Sequence, residues 1–361
     1  MDLTRLAPWP ITASAMERIA RGLNNDTYFV YAREGEFVLR VYRNTADPER
    51  VRFEHELLGR LATQELPFAV PAPVRTHEGD TLAVLETDDG PRLATLFFRI
   101  PGEPSSGTAH DAWLAGRALA QLDAALALLE LPVRAPIALG DVHRLVPDPV
   151  AALDDLSLGA HRARIDELFR HVIEVRDALA ASLPRQIVHG DFGYVNVLLE
   201  NDVVTGVLDF EFAEGDMRAA DLACAIYITI VRTPEVDRWA VLDALIAGYR
   251  RALPLDPTEA AAIPELLLRR SAFGIVHWIG RWRAGLCGPE EPLARVERNA
   301  LLHAWLTAHG PRLVLAVAGE KLPVSRVAPA RAGCRSQRRH PASGTCGGST
   351  NVSRHSRTSR R

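Results

Sequence analysis

The sequence is almost without lysine: of 42 basic side chains, only Lys321 is not an arginine. That scarcity removes several chemistries at once. A Walker A loop needs Gly-Lys-Ser/Thr, and Schiff-base or Ser-x-x-Lys mechanisms need a lysine in the site; Glu320-Lys321-Leu322 suits none of them. Cysteine is scarce as well. The four cysteines fall in no Cys-x₂-Cys or Cys/His grouping, which argues against a disulfide framework or a zinc site, and Cys224 and Cys287 read as buried or half-buried thiols. No apolar run approaches the ~20 residues that span a bilayer; the stretch from Leu301 to Gly319 is broken by His303, His309 and Arg312. The opening segment, Met1 to Ala15, holds Asp2 and two prolines and lacks the apolar core of a secretion signal, so a cytosolic protein without a membrane partner is expected.

What is present is ordinary in bulk. The 361 residues are 47% hydrophobic and 24% charged, enough for two lobes with sizeable cores. The formal charge of −3 is unevenly spread: residues 325–361 hold nine arginines and no acid, leaving 33 basic against 45 acidic side chains in the rest. An acidic body argues against nucleic acid as a partner and suits a cationic or amino-bearing one. From Pro323 to Arg361 the chain is Arg, Ser, Gly and Pro with few large apolar residues, so this tail is expected to be disordered, either a basic arm or a dispensable extension.

The patterning changes midway. Thr27 to Arg33 and Glu36 to Tyr42 read as strands around the turn Glu34-Gly35. Asp47-Pro48-Glu49 then starts a helix that runs to Gln64, with Val51, Phe53, Leu57, Leu58 and Leu61 at helical spacing. After the proline-rich link Leu66 to Pro73, strands are expected at Thr81 to Glu86 and Arg92 to Ile100. Beyond Gly102 the texture is helical, with helices expected over Ala112 to Leu129, Arg162 to Ser182, Ala219 to Val231, Asp237 to Ala252, Glu265 to Arg281 and Pro292 to Ala308. Short strands at Val197 to Leu199 and Val203 to Leu208, joined by Glu200-Asn201-Asp202, interrupt them. The fold class is α+β, a small mixed α/β lobe followed by a larger helical one.

The interruption carries the chemistry. His189-Gly190-Asp191 is followed at kinase catalytic-loop spacing by Asn196, and a second apolar run ends in Asp209-Phe210-Glu211. Phosphoryl transfer needs a carboxylate to orient or deprotonate a hydroxyl, and oxygen ligands that hold Mg²⁺ against phosphates. Taken singly, Asp191 and Asn196 would equally suit a turn with side-chain-to-backbone hydrogen bonds. The combination with Asp209, Asp216 and Asp221-Leu222-Ala223 favours the functional reading.

These motifs, together spanning about Gly22 to Leu306, resemble the aminoglycoside phosphotransferase and choline kinase-like superfamily. The resemblance implies a two-lobed protein-kinase-like fold: a nucleotide-binding lobe over 1–101, a catalytic and acceptor-binding lobe over 102–322, and the tail over 323–361. It implies ATP and Mg²⁺, with Asp191 as catalytic base, Asn196 and Asp209 as metal ligands, His189 as a brace and Asp221 tying a helix start to the loop. Gly22 and Asn25 fall in the strand-turn-strand that covers nucleotide, and the backbone near Ile100, between Phe98 and Gly102, would face adenine. Arg40 stands where many members place a phosphate-holding lysine, with Glu54 as its expected helix partner and Glu56 as the second choice. Gly22-Leu23-Asn24-Asn25, the Leu66 to Pro73 stretch and Phe97 to Gly102 look most like the type II homoserine kinase branch. Homoserine or a related amino alcohol is then the expected acceptor. Choline or ethanolamine, an aminoglycoside, a protein Ser/Thr, or a nucleotide-binding scaffold without turnover are the alternatives. The acceptor wall is expected over Ser271 to Trp282, where Trp278 and Trp282 would either box a quaternary ammonium or, as the helical periodicity favours, fill core.

Overall fold

A computed structural model describes residues 2–19, 24–43, 45–131 and 137–320; Gly22, Lys321 and the basic tail lie outside the described residues. The N-terminal strands are β1 (Ala13–Arg18), β2 (Asn25–Ala32), β3 (Gly35–Tyr42), β4 (Ala83–Thr87) and β5 (Gly90–Phe98), and they form one antiparallel sheet in the order β1-β2-β3-β5-β4. The middle strand β3 alternates as a half-covered sheet requires: Phe37, Leu39 and Val41 are buried. Burying each contributes roughly 1.5–3 kcal/mol. The strand β1 has no counterpart in the sequence reading, because Ala-Ser-Ala-Met-Glu-Arg shows no apolar alternation and owes its conformation to pairing with β2.

Helix α1 (Pro48–Leu61) begins as its signals indicate: Asp47 accepts from the Glu49 N–H at 3.0 Å, and Pro48 fills the first helical position. Its Leu57, Leu58 and Leu61 join Phe68, Val70 and Phe97 in one apolar cluster with the helical lobe. The two lobes therefore share a core.

After β5 come β6 (Glu103–Pro104) and α2 (Ala109–Leu126), then α3 (Arg162–Ser182) and β7 (Arg185–Val188). The hairpin β8 (Val197–Glu200) and β9 (Val203–Val207) follows, then β10 (Glu214–Met217), α4 (Ala219–Arg232), α5 (Glu235–Ala252), α6 (Pro257–Arg283) and α7 (Glu290–Ala318). β6 pairs with β8, and β10 with β7. The hairpin turns at Asn201 and Asp202, both at positive φ (50° and 62°), a geometry that Asn and Asp tolerate best after glycine. The proline-rich link is stitched to it: the Ala69 N–H donates to Thr205 O at 2.9 Å and Val207 N–H to Ala69 O at 3.0 Å.

Two prolines fall inside helices where the sequence suggested boundaries. α6 starts eight residues before Glu265, at a capping box in which Asp256 accepts from Glu259 N–H and the Glu259 carboxylate accepts from Asp256 N–H, and it runs through Pro264. α7 likewise continues through Pro311 to Ala318. A proline removes one helical hydrogen bond, but buried Ile263, Leu266 and Leu267 hold α6 around it, and Leu313 and Val317 do the same for α7. No described helix is long and apolar enough to cross a membrane.

Candidate active site

The loop between β7 and β8 is held from beneath by one buried carboxylate. Asp221, in the first turn of α4, accepts from His189 N–H at 2.6 Å through Oδ2 and from Gly190 N–H at 2.8 Å through Oδ1. Gly190 sits at φ +79°, and a Cβ there would overlap the Phe212 carbonyl, so the close approach of the two loops requires glycine. His189 is fully buried; its Nε2 lies 2.9 Å from Leu208 O and its Nδ1 accepts from Asp191 N–H at 3.3 Å. Both ring nitrogens are thus committed to backbone, which makes His189 a brace. Beneath Asp221 lies Asp123, whose carboxyl is pushed well above the usual carboxylate range by burial and by Asp221 beside it, and which accepts from Tyr249 Oη–H at 2.7 Å.

Asp191, Asn196 and Asp209 converge as their spacing suggested. The Asn196 amide donates through Nδ2 to Asp191 O at 3.0 Å, which leaves its oxygen as an acceptor, and Leu208 N–H donates to Asn196 O at 2.8 Å, drawing the end of β9 alongside. Asp209 takes φ +71°, on the left-handed side that Asp adopts more readily than most residues. An amide oxygen and a carboxylate are hard donors. Magnesium keeps several waters and takes one or two protein groups besides phosphates, so this pair fits it, and among the described residues no larger His/Cys/Asp/Glu cluster competes.

From the sheet lobe, Arg40 reaches the same place. Its Nη1 lies 3.0 Å from Glu54 Oε1, and its Nη2 lies 3.4 Å from Asp209 Oδ1. β3 is a central strand and the Arg40 side chain is only 14% exposed, so this is no solvated edge charge. Glu54, not Glu56, is the partner; Glu56 pairs with Arg60 instead. Burial raises the Glu54 carboxyl while the Arg40 guanidinium lowers it.

Glu211, two residues beyond Asp209, accepts from Asn24 Nδ2 and Asn25 Nδ2, both at 2.7 Å, and its carboxyl is pushed up by burial and by Asp209. The asparagine pair is thereby fastened to the Asp-Phe-Glu turn. Ile100 lies between β5 and β6, where its side chain faces Gly206 on β9; Thr205 Oγ1–H donates to the neighbouring Pro101 O at 2.6 Å.

One residue escaped the sequence reading. Arg270 of α6 is ion-paired through Nη2 to Asp191 Oδ1, and its Nε–H donates to Cys224 Sγ at 3.2 Å. Further along the same face, at helical spacing, His277 stacks edge-on to Phe212 at 5.6 Å and Arg281 Nη1 lies 3.4 Å from Asn24 Oδ1. His277 and Arg281 fall within the expected stretch Ser271 to Trp282, and Arg270 lies just before it. Trp278 lies under the guanidinium groups of Arg295 (4.2 Å) and Arg281 (5.0 Å), and Trp282 packs on the apolar cluster under α3. The two tryptophans serve packing, as their periodicity favoured.

A sequence model of the phosphotransferase enzyme family matches residues 15–261. The chain is 31% identical to a homoserine kinase of Methylobacterium nodulans over 296 residues, 80% of this chain and 88% of that protein. It is 28% identical to a homoserine kinase of Azorhizobium caulinodans, covering 76% and 84%. Among solved structures, a microcompartment-associated aminopropanol kinase superposes with a TM-score of 0.67 at 22% identity, over 86% of this chain and 98% of that one. The amicoumacin kinase hAmiN, in complex with AMP-PNP, Ca²⁺ and Ami, superposes with a TM-score of 0.62 at 14% identity, over 84% and 92%.

Proposed function

The chain belongs to the phosphotransferase enzyme family, and from that premise we propose that it transfers the γ-phosphoryl group of ATP, with Mg²⁺, to the hydroxyl of homoserine or a related amino alcohol. The observation that carries this reading is the convergence of Asp191, Asn196 and Asp209 on a loop clamped by Asp221, with Arg40 arriving from the other lobe. The names of the homoserine kinase relatives support the acceptor class.

In this reading the division falls near residue 101, with nucleotide held by residues 1–101, acceptor by 102–322, and the reaction carried out in the cytoplasm. Asp191 orients the acceptor hydroxyl and takes its proton as the bond from its oxygen to the γ-phosphorus forms and the bond from that phosphorus to the bridging oxygen of ADP breaks. Arg40, fixed by Glu54, holds the α- and β-phosphates; Asn25 anchors the turn over them, and the backbone near Ile100 meets adenine. Asn196 and Asp209 are the groups that would hold Mg²⁺, which supplies neutralisation of charge on the phosphate oxygens. Positioning and electrostatics carry such a reaction, because its loose transition state asks little covalent chemistry of the protein.

The test is ATP consumption against a panel of homoserine, choline, ethanolamine, hydroxylysine and kanamycin, with and without Mg²⁺. The expected result is turnover stimulated by one acceptor and lowered at least ~10²-fold in Asp191→Asn. Nucleotide binding with no turnover across the panel would leave only a scaffold.

A further inference from the structure

The pairing of Arg270 with Asp191 poses a chemical problem for the reaction proposed above. Arg270 Nη2 already occupies Asp191 Oδ1, one of the two carboxylate oxygens that could receive an incoming hydroxyl. On its other side Arg270 donates to the Cys224 thiol, a neutral and weak acceptor. Cys224 is buried, and that burial pushes its thiol up to about 12, so it stays uncharged. The preceding residue shows what a structural arginine looks like in this helix: Arg269 points away, bonded to buried Asp216 at 2.6 Å and stacked on Phe273. Arg270 faces the site instead, on a stripe of α6 whose next turn is Gly274, with open space where a side chain would stand.

We infer that Arg270 is the specificity-determining residue of the acceptor site, exchanging Asp191 for a carboxylate that the acceptor itself carries. The inference rests on the kinase reading and deepens it. A guanidinium accepts a carboxylate through two parallel hydrogen bonds, so the acceptor replaces the ion pair that it breaks. Asp191 is thereby freed for the hydroxyl. Because Arg270 and Asp191 touch, an anion on one and a hydroxyl on the other belong to a molecule with a short carbon spacer. An amino alcohol without a carboxylate offers Arg270 nothing and brings a second cation beside it. The site thus selects hydroxy-amino acids over the corresponding amines.

Homoserine and 3-aminopropan-1-ol form a matched pair that differs only in the carboxylate, and 4-hydroxybutanoate keeps the carboxylate while losing the amine. Steady-state kinetics on the full chain should give homoserine a kcat/KM at least about tenfold above that of 3-aminopropan-1-ol. In Arg270→Gln the KM for homoserine should rise at least about tenfold and the ratio between the two acceptors should collapse toward one, with Arg270→Lys restoring part of it. 4-Hydroxybutanoate should inhibit or react in the wild type and lose that effect in Arg270→Gln. A thermal melt separates loss of fold from loss of recognition, and the wild-type comparison of the two acceptors stands without any variant. Turnover of 3-aminopropan-1-ol equal to or above that of homoserine would overturn the inference and leave the kinase reading intact. So would an equal fall in kcat for both acceptors in Arg270→Gln, which would assign Arg270 to the transferring phosphoryl group. Absence of turnover with every acceptor would overturn both.

Discussion

Arg40 on β3 and Glu54 on α1 meet at 3.0 Å with both side chains almost out of solvent, 14% and 5% exposed. An ion pair so placed does not by itself argue for stability, since the desolvation of both charges offsets much of their attraction. Tyr42 adds a longer contact to Glu54 at 3.4 Å, and the second arm of the guanidinium leans toward Asp209. The pair fixes where a cation points, toward Asp209 just beyond β9.

Arg40→Ala should therefore act twice. Leaving Glu54 buried without its partner should cost roughly 3–5 kcal/mol, read as a lower denaturant midpoint. With fold retained, kcat/KM for ATP should fall about 10²-fold or more, the scale of losing a charged contact to phosphate. Arg40→Lys should recover most of the stability and less of the activity, because one ammonium cannot serve Glu54 and a phosphate in the same planar fork. An unchanged Michaelis constant and rate in Arg40→Ala would remove Arg40 from the site.

Asp221→Ala should be severe although Asp221 touches no reactant. It would orphan the buried His189 N–H, at about 1–3 kcal/mol, and the half-buried Gly190 N–H. The loop that presents Asp191 would loosen, so kcat should fall further than KM for ATP rises. Denaturant melts and steady-state kinetics on one preparation check both effects, and an undiminished kcat would show that the loop needs no clamp.

The legible part of the site was the part written locally. Asp191, Asn196 and Asp209 lie within one loop and hairpin, and Arg40 and Glu54 are fourteen residues apart on a strand and the next helix. Strong alternation in β3 and clear caps on α1 made those elements readable. What escaped was set by long-range packing. Arg270 is 79 residues from Asp191, and Glu211 is 187 from Asn24; an arginine in a helix and a glutamate after a phenylalanine carry no signal of such partners. Helical periodicity did mark Trp278 and Trp282 as packing, but it gave no sign that the same helix carries Arg270 to Asp191. The bounds expected at Glu265 and Ala308 fell short because propensity is local, and the buried side chains that carry α6 through Pro264 and α7 through Pro311 act across helices.

The packing of α2 on α5 gives a prediction about stability alone. Gly116 and Gly248 let the two backbones approach so closely that a Cβ on Gly248 would overlap the Trp113 carbonyl and one on Gly116 would overlap the Leu245 carbonyl. Helix propensity favours Gly248→Ala by about 1 kcal/mol. Overpacking against rigid backbone costs about 1–3 kcal/mol, so the variant should be destabilised on balance. The melting temperature should fall while KM for ATP stays as it was; a rise in melting temperature would mean that the helices can part without cost.

Asp123→Asn should change how stability depends on pH, and the sign follows from which state holds the proton. In the folded protein burial and the neighbouring Asp221 keep Asp123 protonated well above the usual range, whereas the unfolded chain releases that proton near pH 3.8. Over the pH range from about 4 upward the native state therefore binds more protons than the unfolded one, and stability drains away as pH rises, by up to about 1.4 kcal/mol per pH unit. Asparagine keeps an oxygen for the Tyr249 hydroxyl and a donor toward Asp221 without titrating. Relative to the wild type, Asp123→Asn should thus gain stability as pH rises from about 4 toward the pH at which the folded Asp123 ionises, read as a widening difference between the two melting temperatures. A constant difference across that interval would mean that Asp123 is ionised in the fold, and the clamp under the catalytic loop would then consist of two charged carboxylates.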